Sequence, residues 1–159
     1  SDGIRWLSLD KTDSPTNVLS LQVLEELRGL LDRLESAPPA GVVIKSAKPT
    51  GFILGADLTE FERVETVDQA EALAREGQAS LSRIEALPCP TVAAINGHAI
   101  GAGLCVALGC DIRIVAQEAK LGLNFTRLGL NFPYVLNEVG TRRELTCVDV
   151  EHSLCYFSR

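Results

Sequence analysis

The feature that most constrains this chain is the regular exchange of two periodicities, with proline or glycine at each boundary. Residues 4–9 alternate between two faces, Ile4, Trp6 and Ser8 on one and Arg5, Leu7 and Leu9 on the other, as a strand would. Turn chemistry follows over residues 10–17, where polar side chains compete for backbone hydrogen bonds and Pro15 locks its own φ. Ser20 then reads as an N-cap, and Leu21, Leu24, Leu27, Leu31 and Leu34 recur at helical spacing until Pro38 and Pro39 stop the helix. Residues 41–44 form a short β-branched run, and 48–57, with Pro49, Gly51 and Gly55, reads as a loop. A second long helix is expected over 66–87, with Val67, Ala70, Leu73, Ala74, Leu81 and Ile84 as its apolar stripe. Beyond Pro88 and Pro90 come a strand at 91–95, a glycine-rich turn at 96–103 and a small-residue helix at 102–109. Extended pieces at 111–115 and 120–123 follow. Strand and helix thus alternate, and alternating units of this length imply parallel strands joined by crossover helices, an α/β fold.

A chain of 159 residues with 46% hydrophobic content can bury one compact core. Its net charge of −6 argues against a nucleic-acid partner. No apolar run is long enough for a membrane span, and residues 1–5 lack the layout of a secretory signal, so the protein is expected neither in a membrane nor secreted. Its five cysteines show no paired spacing, and His98 and His152 are far apart in sequence, so neither a metal site nor a disulfide framework is expected. Free thiols point to a reducing compartment, the cytoplasm or an organelle matrix.

Two glycine loops occupy the chemically informative positions. Residues 51–57 and 96–103 each follow a strand and precede a helical stretch, where backbone N–H groups lack intrahelical partners. Two such groups aimed at one point would stabilise an oxyanion, and the small residues Ala56, Ala102 and Gly103 would let a ligand approach the backbone. Either loop taken alone reads first as an ordinary turn with no ligand, because glycine is common at strand–helix junctions. The Gly101-x-Gly103 fragment is not a dinucleotide fingerprint, because Val106 stands where a third glycine is required. No Gly-Lys-Ser/Thr follows to make a phosphate loop.

Four segments in order and spacing resemble the crotonase superfamily, the enoyl-CoA hydratase/isomerase family. These are Asn17-Val18-Leu19-Ser20, Phe52-x-x-Gly55-Ala56-Asp57-Leu58, the run from Pro90 through Asn96-Gly97 to Gly101-Ala102-Gly103, and Cys110-Asp111-Ile112-Arg113. The first loop and the helix at 66–87 resemble the N-terminal hydratase part of bifunctional β-oxidation proteins. The resemblance implies a ββα-repeat core of the ClpP/crotonase fold over residues 1–130 and an acyl-CoA thioester as ligand, with coenzyme A entering as part of the substrate and no separate cofactor. It implies an oxyanion hole from the N–H groups of Ala56 and Ala102, with Phe52, Leu54, Gly55, Asp57, Gly101 and Gly103 around the substrate. The backbone of residues 52–54 would face the adenine, and Lys11 is a candidate phosphate contact or a solvated surface lysine. It also implies lyase or isomerase chemistry in fatty acid metabolism and a homo-oligomer, a trimer or dimer of trimers.

The pattern breaks where the family carries its two catalytic glutamates. Those positions fall on Cys105 and Phe125, so general acid–base addition of water lacks its carboxylates. Among the remaining acids, Asp57 reads as a helix cap or ion-pair partner, Glu60 as a residue on a solvated face, and Asp111 as an anchor of the glycine loop. From residue 131 onward the sequence departs from the family, whose C-terminal helical region reads as truncated or divergent over 131–159. The alternative to an enzyme is therefore a non-catalytic acyl-CoA-binding or truncated family member.

Overall fold

The computed structural model describes residues 3–49, 51–123 and 154–157. Strand β1 (Ile4–Leu9) leads to helix α1 (Leu21–Ser36), then to β2 (Gly41–Ser46) and β3 (Gly51–Ile53). A short helix α2 (Leu58–Phe61) and the long α3 (Val67–Glu85) follow. Next come β4 (Thr91–Ile95), β5 (His98–Ile100), α4 (Ala102–Gly109), β6 (Ile112–Ala116), β7 (Leu121–Gly122) and β8 (Leu154–Phe157).

The strands divide between two sheets. The larger runs β1-β2-β4-β6-β8 and the smaller β3-β5-β7. Each of β2, β4 and β6 is followed within a few residues by a partner in the small sheet, which is the ββα repeat. Every pairing is parallel except that of β6 with β8. The alternation of strand and helix in the sequence is therefore correct but incomplete. Residues 51–53 and 98–100, read as loop and glycine-rich turn, are β3 and β5, paired Gly51 to His98 and Ile53 to Ala99. Strands of three residues are too short to show an alternating pattern.

Ser20 caps α1 through its side chain, which accepts from Val23 N at 3.3 Å. Leu24, Leu31 and Leu34 are buried beneath it, whereas Leu21, at the first helical position, is exposed. In α3 the Thr66–Gln69 capping box fixes the start, but only Ser80, Leu81 and Ile84 are buried. Val67 is 81% exposed, so the first turns of α3 project past the core that its last turns cover. That core joins Leu31, Val42, Ile44, Phe52, Ile53 and Ile84 between sheet and helices. Of the tail at 131–159 only β8 is described, and the rest lies outside the described residues.

Candidate functional site

The two glycine loops lie at the carboxyl ends of the neighbouring parallel strands β3 and β5, the edge at which open α/β sheets bind ligands. They touch directly. A Cβ on Gly103 would stand 2.1 Å from Ile53 O, and one on Gly55 would stand 3.5 Å from Ile100 O. Only glycine at 103 lets the first turn of α4 lie against β3.

Each loop turns one peptide group in a defined direction. Gly55 O accepts from Leu19 N at 2.8 Å. The Gly55–Ala56 bond is trans, as are all those described, so Ala56 N–H is aimed away from Leu19. Gly101 O accepts from Cys105 N at 3.1 Å, along the axis of α4. The next N–H, that of Ala102, leaves the helix at its amino end, where no intrahelical acceptor exists. Among the described residues neither N–H meets a backbone acceptor.

The first loop is held from its far side by a strap, residues 17–19. Leu54 N donates to Asn17 O at 2.8 Å and Asp57 N to Leu19 O at 2.9 Å, which with the Leu19–Gly55 bond makes a short parallel ladder. Asn17 is 2% exposed. Its Oδ1 accepts from Lys11 N at 2.9 Å, and its Nδ2 donates to Leu9 O at 3.0 Å, Ser46 Oγ at 2.9 Å and Phe52 O at 3.3 Å. The sequence marked Asn17 only as part of a family segment; its partners are spread over residues 9–52, and no local pattern announces them.

The polar residues around the loops are largely committed to one another. Asp57 caps α2, accepting from Thr59 N at 3.1 Å and Thr59 Oγ1 at 2.7 Å. It also pairs with Lys11 Nζ at 2.7 Å. The Lys11 and Thr59 hydrogen bonds pull its pKa down from 3.8 to about 2. Lys11 is thus an ion-pair partner and not the solvated lysine the sequence allowed. Glu60 does not stand on a solvated helical face alone, since both its oxygens accept from Leu21 N, at 3.0 and 2.9 Å, at the start of α1. Asp111 anchors the start of β4, where its Oδ2 accepts from Thr91 N and Thr91 Oγ1, both at 2.9 Å. Phe52 is fully buried, and its carbonyl together with Leu54 N is taken by Asn17.

Cys105 faces inward from α4, 3% exposed, and its Sγ donates to Gly101 O at 3.2 Å. Burial pushes its thiol up to about 12, so it stays protonated at neutral pH. Phe125 lies outside the described residues. No group of three or more His, Cys, Asp or Glu residues among the described residues is arranged to hold a metal. No described helix is long and apolar enough to cross a membrane. A cleft of about 280 Å³ opens between β1 and α1, lined by Leu9, Lys11, Leu19 and Val23 among others. Neither Ala56 nor Ala102 lines it, and Ala56 N–H is aimed away from it.

Fold and loop geometry together define an α/β protein of the crotonase type. The family model described as enoyl-CoA hydratase/isomerase matches residues 2–143, and the chain belongs to that family. It is 40% identical over 156 residues to the fatty acid oxidation complex subunit alpha of Idiomarina loihiensis, covering 96% of this chain and 22% of that protein. The corresponding subunit of Aliivibrio fischeri is 41% identical over 131 residues, 80% of this chain and 19% of that one. The chain therefore spans about a fifth of the length of these curated relatives. Among solved structures, an enoyl-CoA hydratase from Bacillus anthracis superimposes with a TM-score of 0.78 at 32% identity, covering 87% of this chain and 55% of that one. An enoyl-CoA hydratase/carnithine racemase from Magnetospirillum magneticum gives 0.81 at 27% identity, with 89% and 54% covered.

Proposed function

We propose that the chain holds an acyl-CoA thioester with its carbonyl oxygen between Ala56 N–H and Ala102 N–H, as an enoyl-CoA hydratase/isomerase relative would. The observation that carries this reading is the pair of peptide groups at the ends of β3 and β5. Each has its carbonyl tied back into the fold, at Leu19 N and Cys105 N, so that the following N–H is turned away from that partner. Two fixed donors favour the enolate over the neutral thioester, because they are aligned before charge develops.

A second reading, binding without hydration, is favoured by Cys105. A protonated, buried thiol stands at the first glutamate position and cannot take a proton from water at neutral pH. In this reading the chain keeps the thioester-holding half of the reaction and lacks the proton-moving half. Calorimetric titration with crotonyl-CoA beside a hydration assay on the same substrate tests both readings. Binding with hydration slower than in a glutamate-bearing relative is expected. Absence of binding refutes the thioester site, and hydration at the relative's rate refutes the role given to the missing carboxylates. The homo-oligomer implied by the family is part of the same proposal and is tested by light scattering of the full chain.

A further inference from the structure

We propose that Asn17 is the positioning residue of this site, setting the direction of Ala56 N–H through the strap it begins; this rests on the thioester reading above. Of the two proposed donor peptide groups the strap holds one, Gly55–Ala56. Leu19 N takes Gly55 O at 2.8 Å, and the planar trans peptide converts the direction of that carbonyl into the direction of Ala56 N–H. Whatever fixes the strap therefore fixes the donor.

Main-chain pairing with residues 54–57 cannot do this alone, because strap and loop could shift together. The Asn17 amide ties the strap to the rest of the molecule. Leu9 and Ser46 are the last residues of β1 and β2, Phe52 is the middle of β3, and Lys11 begins the turn after β1. One buried side chain bonds to all four, three partners sharing the two hydrogens of Nδ2. A buried amide with this many partners is costly to leave unsatisfied and admits few alternative placements. The strap is thereby held in register with the ends of β1 and β2 and the middle of β3, the strand that carries the loop it orients. The other two strap residues, Val18 and Leu19, carry apolar side chains, so Asn17 alone can make this tie.

A merely structural role and a positioning role differ in what they do to ligands with and without a carbonyl. Binding of acetoacetyl-CoA, which enolises, is compared by calorimetry with binding of S-butyl-CoA, a thioether lacking the oxygen, in the full-length wild type and N17A. The ultraviolet band of the bound acetoacetyl enolate is recorded in parallel. The wild type is expected to prefer acetoacetyl-CoA, and Asn17→Ala to lose about tenfold of that preference, with weaker enolate absorbance, while S-butyl-CoA affinity changes less than about twofold. Equal loss for both ligands, or an unchanged preference in the folded variant, overturns the positioning role and leaves the thioester reading standing. Equal binding of both ligands by the wild type overturns the thioester reading itself, and the positioning role with it. Should Asn17→Ala not fold, Ser46→Ala removes one of the four partners; a smaller loss of preference in the same direction is expected, and an unchanged one overturns the proposal.

Discussion

Replacing Gly103 by alanine tests the contact on which the two-loop site depends. The added Cβ would lie 2.1 Å from Ile53 O and 2.7 Å from both Ile53 C and Ile53 Cβ, where real Cβ atoms keep at least 3.0 Å. Helix and strand must therefore part by roughly 1 Å, and the obstacle is backbone, which no rotamer change relieves. Neither side can yield easily, since Ile53 is fully buried and Cys105, Val106 and Ala107 of α4 are buried as well. Overpacking of this kind costs about 1–3 kcal/mol, and the helix-propensity gain of alanine over glycine returns at most about 1 kcal/mol. A net loss of about 1 kcal/mol, the middle of that cost less the gain, corresponds to a fall in melting temperature of roughly 2–4 °C for a chain of this size. Gly77→Ala is the internal control, because a Cβ there in α3 meets nothing within 4 Å. It is expected to stabilise by about 0.5–1 kcal/mol. Thermal unfolding followed by circular dichroism compares the two. Equal melting temperatures for both variants would falsify the claim that α4 is seated against β3 through Gly103. Because the displaced segments carry Ala56 and Ala102, folded Gly103→Ala is also expected to bind crotonyl-CoA more weakly than Gly77→Ala.

Two further outcomes follow from the ionisation states around the loops. The pKa of Asp57 is depressed to about 2 in the folded protein against 3.8 for the free group, so its pairing with Lys11 contributes fully above about pH 4 and is lost as pH falls toward 2. Asp57→Asn should cost about 1 kcal/mol at pH 7, partial solvent exposure discounting the full linkage value, and the gap to wild type should close by pH 2 in urea titrations; a gap constant with pH contradicts the pairing. Cys105 and Cys110, both buried, with their thiols donating to Gly101 O and Val106 O, should resist iodoacetamide at pH 7.5 until denaturant is added. Peptide mapping of the alkylated protein reads this out, and labelling of either in the native state would show that α4 opens.

What the sequence reveals about this fold depends on how local each requirement is. Ser20 and Thr66 were legible as caps, Ser20 directly and Thr66 as the start of the second helix, because a cap needs one side chain and the N–H two or three residues on. The glycine loops were legible for the same reason, since close backbone approach at Gly103 leaves a trace in residue type at the position itself. Strands β3 and β5 were missed because three residues, one of them Gly51, carry no period. Leu21 and Val67 misled because helical spacing reports a face but not how far along the helix the core extends. Asn17 was missed because its partners are its position's only explanation, and they come from β1, β2 and β3. The commitments of Glu60 to α1 and Asp111 to β4 were equally hidden, being contacts across 39 and 20 residues.

The same distinction separates the halves of the proposed site. Oxyanion donors belong to the main chain, so any non-proline residue at 56 or 102 supplies one, provided its peptide is held in the right direction. Alanine at 102 therefore keeps the donor as any non-proline residue would, whereas Gly103 is constrained by packing and not by chemistry. Proton transfer has no such tolerance, because it needs an ionisable side chain at a particular place, and a thiol raised to about 12 is not one at neutral pH. A chain of this family can thus lose its carboxylates without disturbing the peptide groups proposed to hold the carbonyl. The reverse loss, through Asn17 or Gly103, would disturb the grip while leaving every acid in place. Substitutions at these two kinds of position should accordingly separate thioester binding from hydration, and they do so through different physics: the orientation of a dipole in one case, the charge state of a side chain in the other.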